Sequence, residues 1–211
     1  IDITCGTGTY NVWMGDNCES NTFGAFCSYM TIDNNSYRNQ FGNNCYSFTL
    51  GSYSQYNQFL GGCYNITTGT RFQYNQMGES CFSIKLGDYC SNNIFGSNSL
   101  AITGNNYIVN NTFGNGVAGL ELCSNFKGNE IGNNCSGLRF GVDSSGNRFT
   151  GNDSYIQSNV FGPSCTYIDV IFDGTSTGQG FSFKNNSFNA SGGTNNSHLV
   201  FHKTTYGSWA K

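Results

Sequence analysis

Ten cysteines and two histidines are the side chains best suited to metal binding or nucleophilic chemistry, so their spacing is the first thing to read. Cys27, Cys45, Cys63 and Cys81 recur at a constant interval of 18 residues. A tetrahedral metal centre needs ligands that converge, commonly with a C-x2-C pair among them. A constant interval builds a column instead. Neighbours in such a column reach disulfide geometry only by leaving their place in the stack. These residues therefore read as small buried thiols filling a narrow core position. Ser99 and Val117, which follow in the same column, fit that reading. Free thiols in this number point to folding in a reducing cytoplasm.

The acid–base candidates are few. His198 and His202 lie four residues apart in a strand-like stretch. Neither H-E-x-x-H nor G-x-S-x-G occurs. Asp143, Asp153, Asp169 and Asp173 fall close together where the sequence pattern loosens. Two carboxylates are the machinery of a glycosidase, so these four are the catalytic candidates for an enzyme. Their alternative reading is the fraying end of a core, with Asp153 standing in the cysteine column. No residue set points to a metal or a cofactor.

The element that must position all of these is the repeat. An 18-residue frame holds Cys5, Phe23, Phe41, Phe59, Met77, Phe95, Phe113, Ile131 and Phe149, and the next residue is Gly in seven of the nine cases. Two residues earlier stand Ile3 and then Asn at 21, 39, 57, 75, 93, 111, 129 and 147. A half-period is also present, with Val12, Met30, Phe48, Ile66, Ile84 and Ile102 preceding Met14, Ile32, Leu50, Thr68, Leu86 and Gly104. The unit is thus nine residues, with two units per coil. Apolar-x-apolar is a three-residue strand with both ends on one face, and the following Gly is expected to permit the bend that ends it. One coil cannot bury its own face, but stacked coils bury a continuous core and pair their backbones axially. The expected fold is all-β: a parallel β-solenoid of about nine coils over residues 1–172. Residues 173–211, where the repeat fades, are expected to cap it or to oligomerise. The inward Asn column suits an amide ladder. Calcium-binding β-rolls also use nine-residue units, but their Asp is missing here.

Outward columns carry the binding candidates. Tyr53, Arg71, Tyr89 and Tyr107 form one, and Tyr56 and Tyr74 another; aromatic faces among Asn, Gln and Asp suit sugar rings. Tyr46, Tyr64, Phe82 and Leu100 form a more apolar stripe that suits a subunit interface. The alternative for all of them is half-buried packing on neighbours. Thr31, Thr49, Thr67, Lys85 and Thr103 make a broken threonine row, the basis of a third reading, an ice-binding solenoid.

Composition bounds the remaining classes. Only 10% of the 211 residues are charged, the net charge is -3 and no basic run exists, which disfavours nucleic acid. No apolar stretch approaches the roughly 18 residues of a membrane span. The chain opens in mid-pattern without Met and reads as a fragment or a processed product.

The unit N-x-F-G-x-x-C, as in Asn21-Thr-Phe-Gly-Ala-Phe-Cys27 and Asn39-Gln-Phe-Gly-Asn-Asn-Cys45, resembles the NTFGNNC repeat regions of phage tail-fibre-like proteins and of surface proteins of gut bacteria. The variant Ile84-Lys-Leu86-Gly87 and the closing Cys165-Thr-Tyr-Ile168 also resemble them. The resemblance covers roughly residues 5–172. It implies a homotrimeric or surface-displayed β-helix, on a virion tail or a cell surface, engaged in host attachment through a cell-surface glycan. It transfers no functional residues. The enzyme alternative is a β-helix polysaccharide hydrolase or lyase.

Overall fold

The computed structural model describes residues 2–122 and 125–132, and beyond them only strand segments between residues 139 and 202. All its regular structure is β. Strands pair in parallel with the residue 18 positions on: Thr22–Phe23 pairs with Gln40–Phe41, and Tyr46–Leu50 with Tyr64–Thr68. Two stacks result, a sheet of eleven strands and a sheet of ten. The column from Cys5 to Ile131 spans 126 residues, or seven turns of 18. At roughly 4.8 Å per strand spacing, that is a rod about 34 Å long. The expected β-solenoid is the observed fold.

The two nine-residue units are not equivalent. The N-x-F unit forms a strand of only two residues, such as Gln40–Phe41, while the other unit forms one of five, such as Tyr46–Leu50. Between them the chain turns four corners per coil. In the coil that follows Asn39 these are Asn44, Ser47, Tyr53 and Tyr56, all in the left-handed region with φ between 54° and 61°. Each precedes an inward residue: Cys45, Phe48, Ser54 and Asn57. The sign of φ has an axial purpose. Strand amides donate back to the previous coil, as Gln40 N–H does to Asn21 C=O at 2.8 Å. Left-handed residues donate forward, as Tyr53 N–H does to Thr70 C=O at 2.8 Å and Asn44 N–H to Gly61 C=O at 2.9 Å. The backbone is therefore tied to both neighbouring coils, which offsets the local cost of left-handed non-glycine residues.

The recurrent Gly after the Phe column does something other than expected. Gly24, Gly42, Gly78 and Gly96 are not in the left-handed region. A Cβ on Gly42 would lie 2.5 Å from Ala25 N and from Gly24 C of the coil beneath. These glycines allow coils to approach one another; they do not make the bend. In the described coils that follow Gly6, Leu60 alone departs from Gly in this column.

Inside the rod, Phe23, Phe41, Phe59, Phe95 and Phe113 are at most 1% exposed. Phe41 and Phe59 stack at 4.4 Å, and Phe95 and Phe113 at 4.8 Å. Burying each ring stabilises the stack by about 1.5–3 kcal/mol. Volumes trade between neighbours: Leu50 with Ser54 in one coil becomes Thr68 with Phe72 in the next, all buried. This keeps the interior near its close-packed density.

Past the regular coils five further strands after Arg139–Phe140 add to the two sheets. Phe140 pairs with Phe161, and Phe161 with Phe188. The Phe161 strand thus joins the half-period column, as a nine-residue step with three inserted residues requires. Ile168–Phe172 and Leu199–His202 extend the other sheet. Of the strands within 173–211, Ser187–Phe188 and Leu199–His202 end the two stacks, while Ser182–Lys184 pairs with Tyr155–Gln157 in a separate two-stranded sheet.

Candidate functional site

The inward columns are wholly occupied by structural work. From Asn39 to Asn129, each Asn of the ladder accepts at Oδ1 from both the N–H and the Nδ2 of the Asn one coil before. For Asn75 these come from Asn57 N–H at 2.8 Å and Asn57 Nδ2 at 3.1 Å. Its own Nδ2 donates to Asn93 Oδ1, Ser54 C=O and Gln73 C=O at 2.9–3.1 Å. The same bonding runs from Asn21 to Asn129. A side chain so fully partnered has no capacity left for a ligand.

The cysteines are free thiols at 5, 18, 27, 45, 63, 81 and 90. Several cap a corner: Cys18, Cys27, Cys63 and Cys90 donate to the carbonyl three residues back at 3.0–3.2 Å. Ser54 and Ser99 make the same bond at 2.8 Å. Cys and Ser interchange in these columns because both are small and both donate. Burial pushes the Cys27 thiol up and that of Cys90 to about 11, so both are protonated and unreactive at neutral pH. Cys123, Cys135 and Cys165 lie outside the described residues.

The carboxylate candidates are only partly placed. Asp143, Asp153 and Asp173 lie outside the described residues, as does His198. Asp169 sits in the strand Ile168–Phe172, level with Arg148 on one side and Val200 on the other. His202 ends the strand that pairs with it.

The outward candidates form ladders. Tyr56 and Tyr74 stack at 5.1 Å with planes 6° apart, and Tyr89 and Tyr107 at 4.7 Å and 6°. Arg71 lies 5.0 Å over the Tyr53 ring, and Tyr37 meets Tyr56 edge-on at 5.2 Å. All six residues of the two proposed ligand columns are exposed left-handed corners on one face of the rod. On the long-strand face, Tyr46, Tyr64 and Phe82 stack at 5.1 and 4.7 Å, and Leu100 continues the row. A ladder turns each ring's face to its neighbour and leaves edges and hydroxyls to solvent. Faces are free only where a ladder ends or skips a coil. The threonine row is in register with Lys85 and begins under Trp13.

Arg71 interrupts one ring column and covers the Tyr53 face; a small residue interrupts another. Tyr10, Ser28 and Tyr46 are level on three consecutive long strands. Ser28 stands where a ring would continue the ladder, and it is buried. An open, shallow cleft of about 430 Å³ has Ser28 in its lining. Its walls are the rings of Tyr10, Phe26, Tyr29 and Tyr46; Asn11 and Ser28 supply polar atoms, and Gly8 completes the lining. Tyr29 stands edge-on to Tyr46 at 5.6 Å. No charged side chain lines it. Sequence reasoning passed over this place because it followed columns that persist. The signal was a column interrupted for one coil. No family model, curated protein or solved structure matches the chain.

Proposed function

We propose that this chain is a structural and receptor-binding segment of a phage tail fibre or similar adhesin, which attaches to a cell-surface glycan. The observation that carries the reading is the surface of the rod: exposed aromatic rings held on a backbone hydrogen-bonded to the coils on both sides. Rings held in place this way lose little freedom on binding, which favours repeated weak contacts with sugars. Low charge leaves the surface suited to neutral polar ligands. The Tyr53, Arg71, Tyr89, Tyr107 face and the Tyr56, Tyr74 column supply ring edges and hydroxyls for such contacts.

The row Tyr46, Tyr64, Phe82 and Leu100 is the interface in this reading, with Phe82 41% and Leu100 47% exposed in the single chain. Three copies meeting along it make a trimeric fibre. The free buried thiols agree with folding in a reducing cytoplasm before display on a virion tail or cell surface.

Two measurements test the proposal. Light scattering after size exclusion is expected to give the mass of three chains, and a 23.0 kDa species would remove the trimer. A glycan array is expected to retain the chain on a defined saccharide set. A blank array would remove the attachment reading.

A further inference from the structure

In one coil the outward pattern is inverted. The corner before the cysteine column carries Gly8, Asn44, Gly62, Ser80, Asn98 and Gly116 in the other described coils, but Phe26 in this one. The corner in the long strand carries Asn11, Ser47, Asn65, Ser83, Ala101 and Gly119, but Tyr29 in this one. Between them, the column of Tyr and Phe carries Ser28. Phe26 and Tyr29 adopt φ of 58° and 53°, a conformation unfavourable for bulky side chains and easy for Gly or Asn. Bulky left-handed residues stand at other corners too, as at Tyr53 and Tyr56, but these two flank Ser28, where the ring ladder is interrupted. A departure from local rules with little packing gain motivates a functional hypothesis. These rings bring little: Phe26 is 57% exposed and Tyr29 58%, more than any aromatic residue on the coils after them.

We propose that the slot over Ser28 is a binding site for a single pyranose ring of a neutral glycan; the assignment rests on the attachment reading above. The cleft lies between Tyr10 and Tyr46, two strand spacings or roughly 9.6 Å apart, with Ser28 almost covered at its floor and Tyr29 edge-on to Tyr46. A saturated sugar ring presents C–H groups above and below and hydroxyls around its rim. The cleft offers both kinds of surface, four aromatic side chains together with the polar groups of Ser28 and Asn11. Its volume of about 430 Å³ lies within the range of roughly 300–1,000 Å³ for small-ligand sites and admits one or two sugar units. The absence of a charged wall selects neutral sugars over uronic or sialic acids.

The test uses the whole chain with glucose, galactose, N-acetylglucosamine and their short oligomers, observed by saturation-transfer NMR. The wild type is expected to transfer saturation to the ring protons of at least one pyranose. Ser28→Tyr completes the ladder and is expected to weaken that binding at least tenfold while leaving the melting temperature unchanged or higher. The pair Phe26→Asn with Tyr29→Ser places residues found at those corners in other coils, and is expected to weaken binding likewise. Tyr89→Ser with Tyr107→Ser, on the other face, is expected to leave it intact. Binding that persists in Ser28→Tyr overturns the slot and leaves glycan attachment elsewhere on the rod standing. Binding of phenol or indole at the slot, with no saccharide, overturns the carbohydrate assignment. No saccharide bound by the wild type overturns both readings.

Discussion

The coil that begins at Asn21 and the coil that begins at Asn57 share an inside and differ outside. Inward, Asn21, Phe23, Cys27 and Met30 are matched by Asn57, Phe59, Cys63 and Ile66, all 1% exposed or less. Outward, Phe26, Ser28 and Tyr29 stand against Gly62, Tyr64 and Asn65. The axial register is the same in both. A fixed interior thus leaves the outside free to be rewritten one coil at a time. The difference teaches where to look on this rod: at the coil that breaks its own outer columns.

The comparison can be broken most severely from the inside. Asn75→Ala removes the acceptor for Asn57 N–H and Nδ2 and the donor to Ser54 C=O. Leaving several buried polar groups unpaired is expected to cost about 3–5 kcal/mol, measured by urea unfolding. Gly42→Ala drives a methyl into the backbone of Gly24 and Ala25 and is expected to cost about 2 kcal/mol by the same measurement. A cost near zero would show that coils can part locally, and would undo the close-approach account. Cys63→Ser keeps the donor to Leu60 C=O that Ser54 and Ser99 supply elsewhere, and is expected to cost about 1 kcal/mol or less; Cys63→Ala is expected to cost more.

The outer changes sharpen the comparison with smaller effects of opposite sign. Phe26→Asn relieves a left-handed phenylalanine and is expected to stabilise by about 0.5–1 kcal/mol, seen as a rise in melting temperature. A fall instead would mean that Phe26 earns its place by packing, and the strain argument for the cleft would fail.

Much of this was legible in the letters. The interval of 18, the inward Asn, Phe and Cys columns and the parallel stack follow from spacing alone. The role of Gly42 did not, because the distance between coils is not a property of one coil. The left-handed state of Tyr53, Arg71 and Tyr56 did not either, since none of these residue types prefers it. They adopt it because their N–H groups bond forward to Thr70, Asp88 and Gln73. The Tyr columns were visible as columns, but whether their rings offer faces or edges depends on coil spacing. The cleft over Ser28 was present as a gap in a row, and acquired walls only when Phe26 and Tyr29 were placed.

The sequence by itself determined the coil length, the parallel register and the identity of the buried ladders, because a hydrophobic period is a statement about which residues share a face. The tertiary structure decided the sign of φ at each corner, the closeness of consecutive coils and the orientation of the outer rings. Those are settled by axial hydrogen bonds and by contact between residues 18 apart, which a residue's own preferences do not encode.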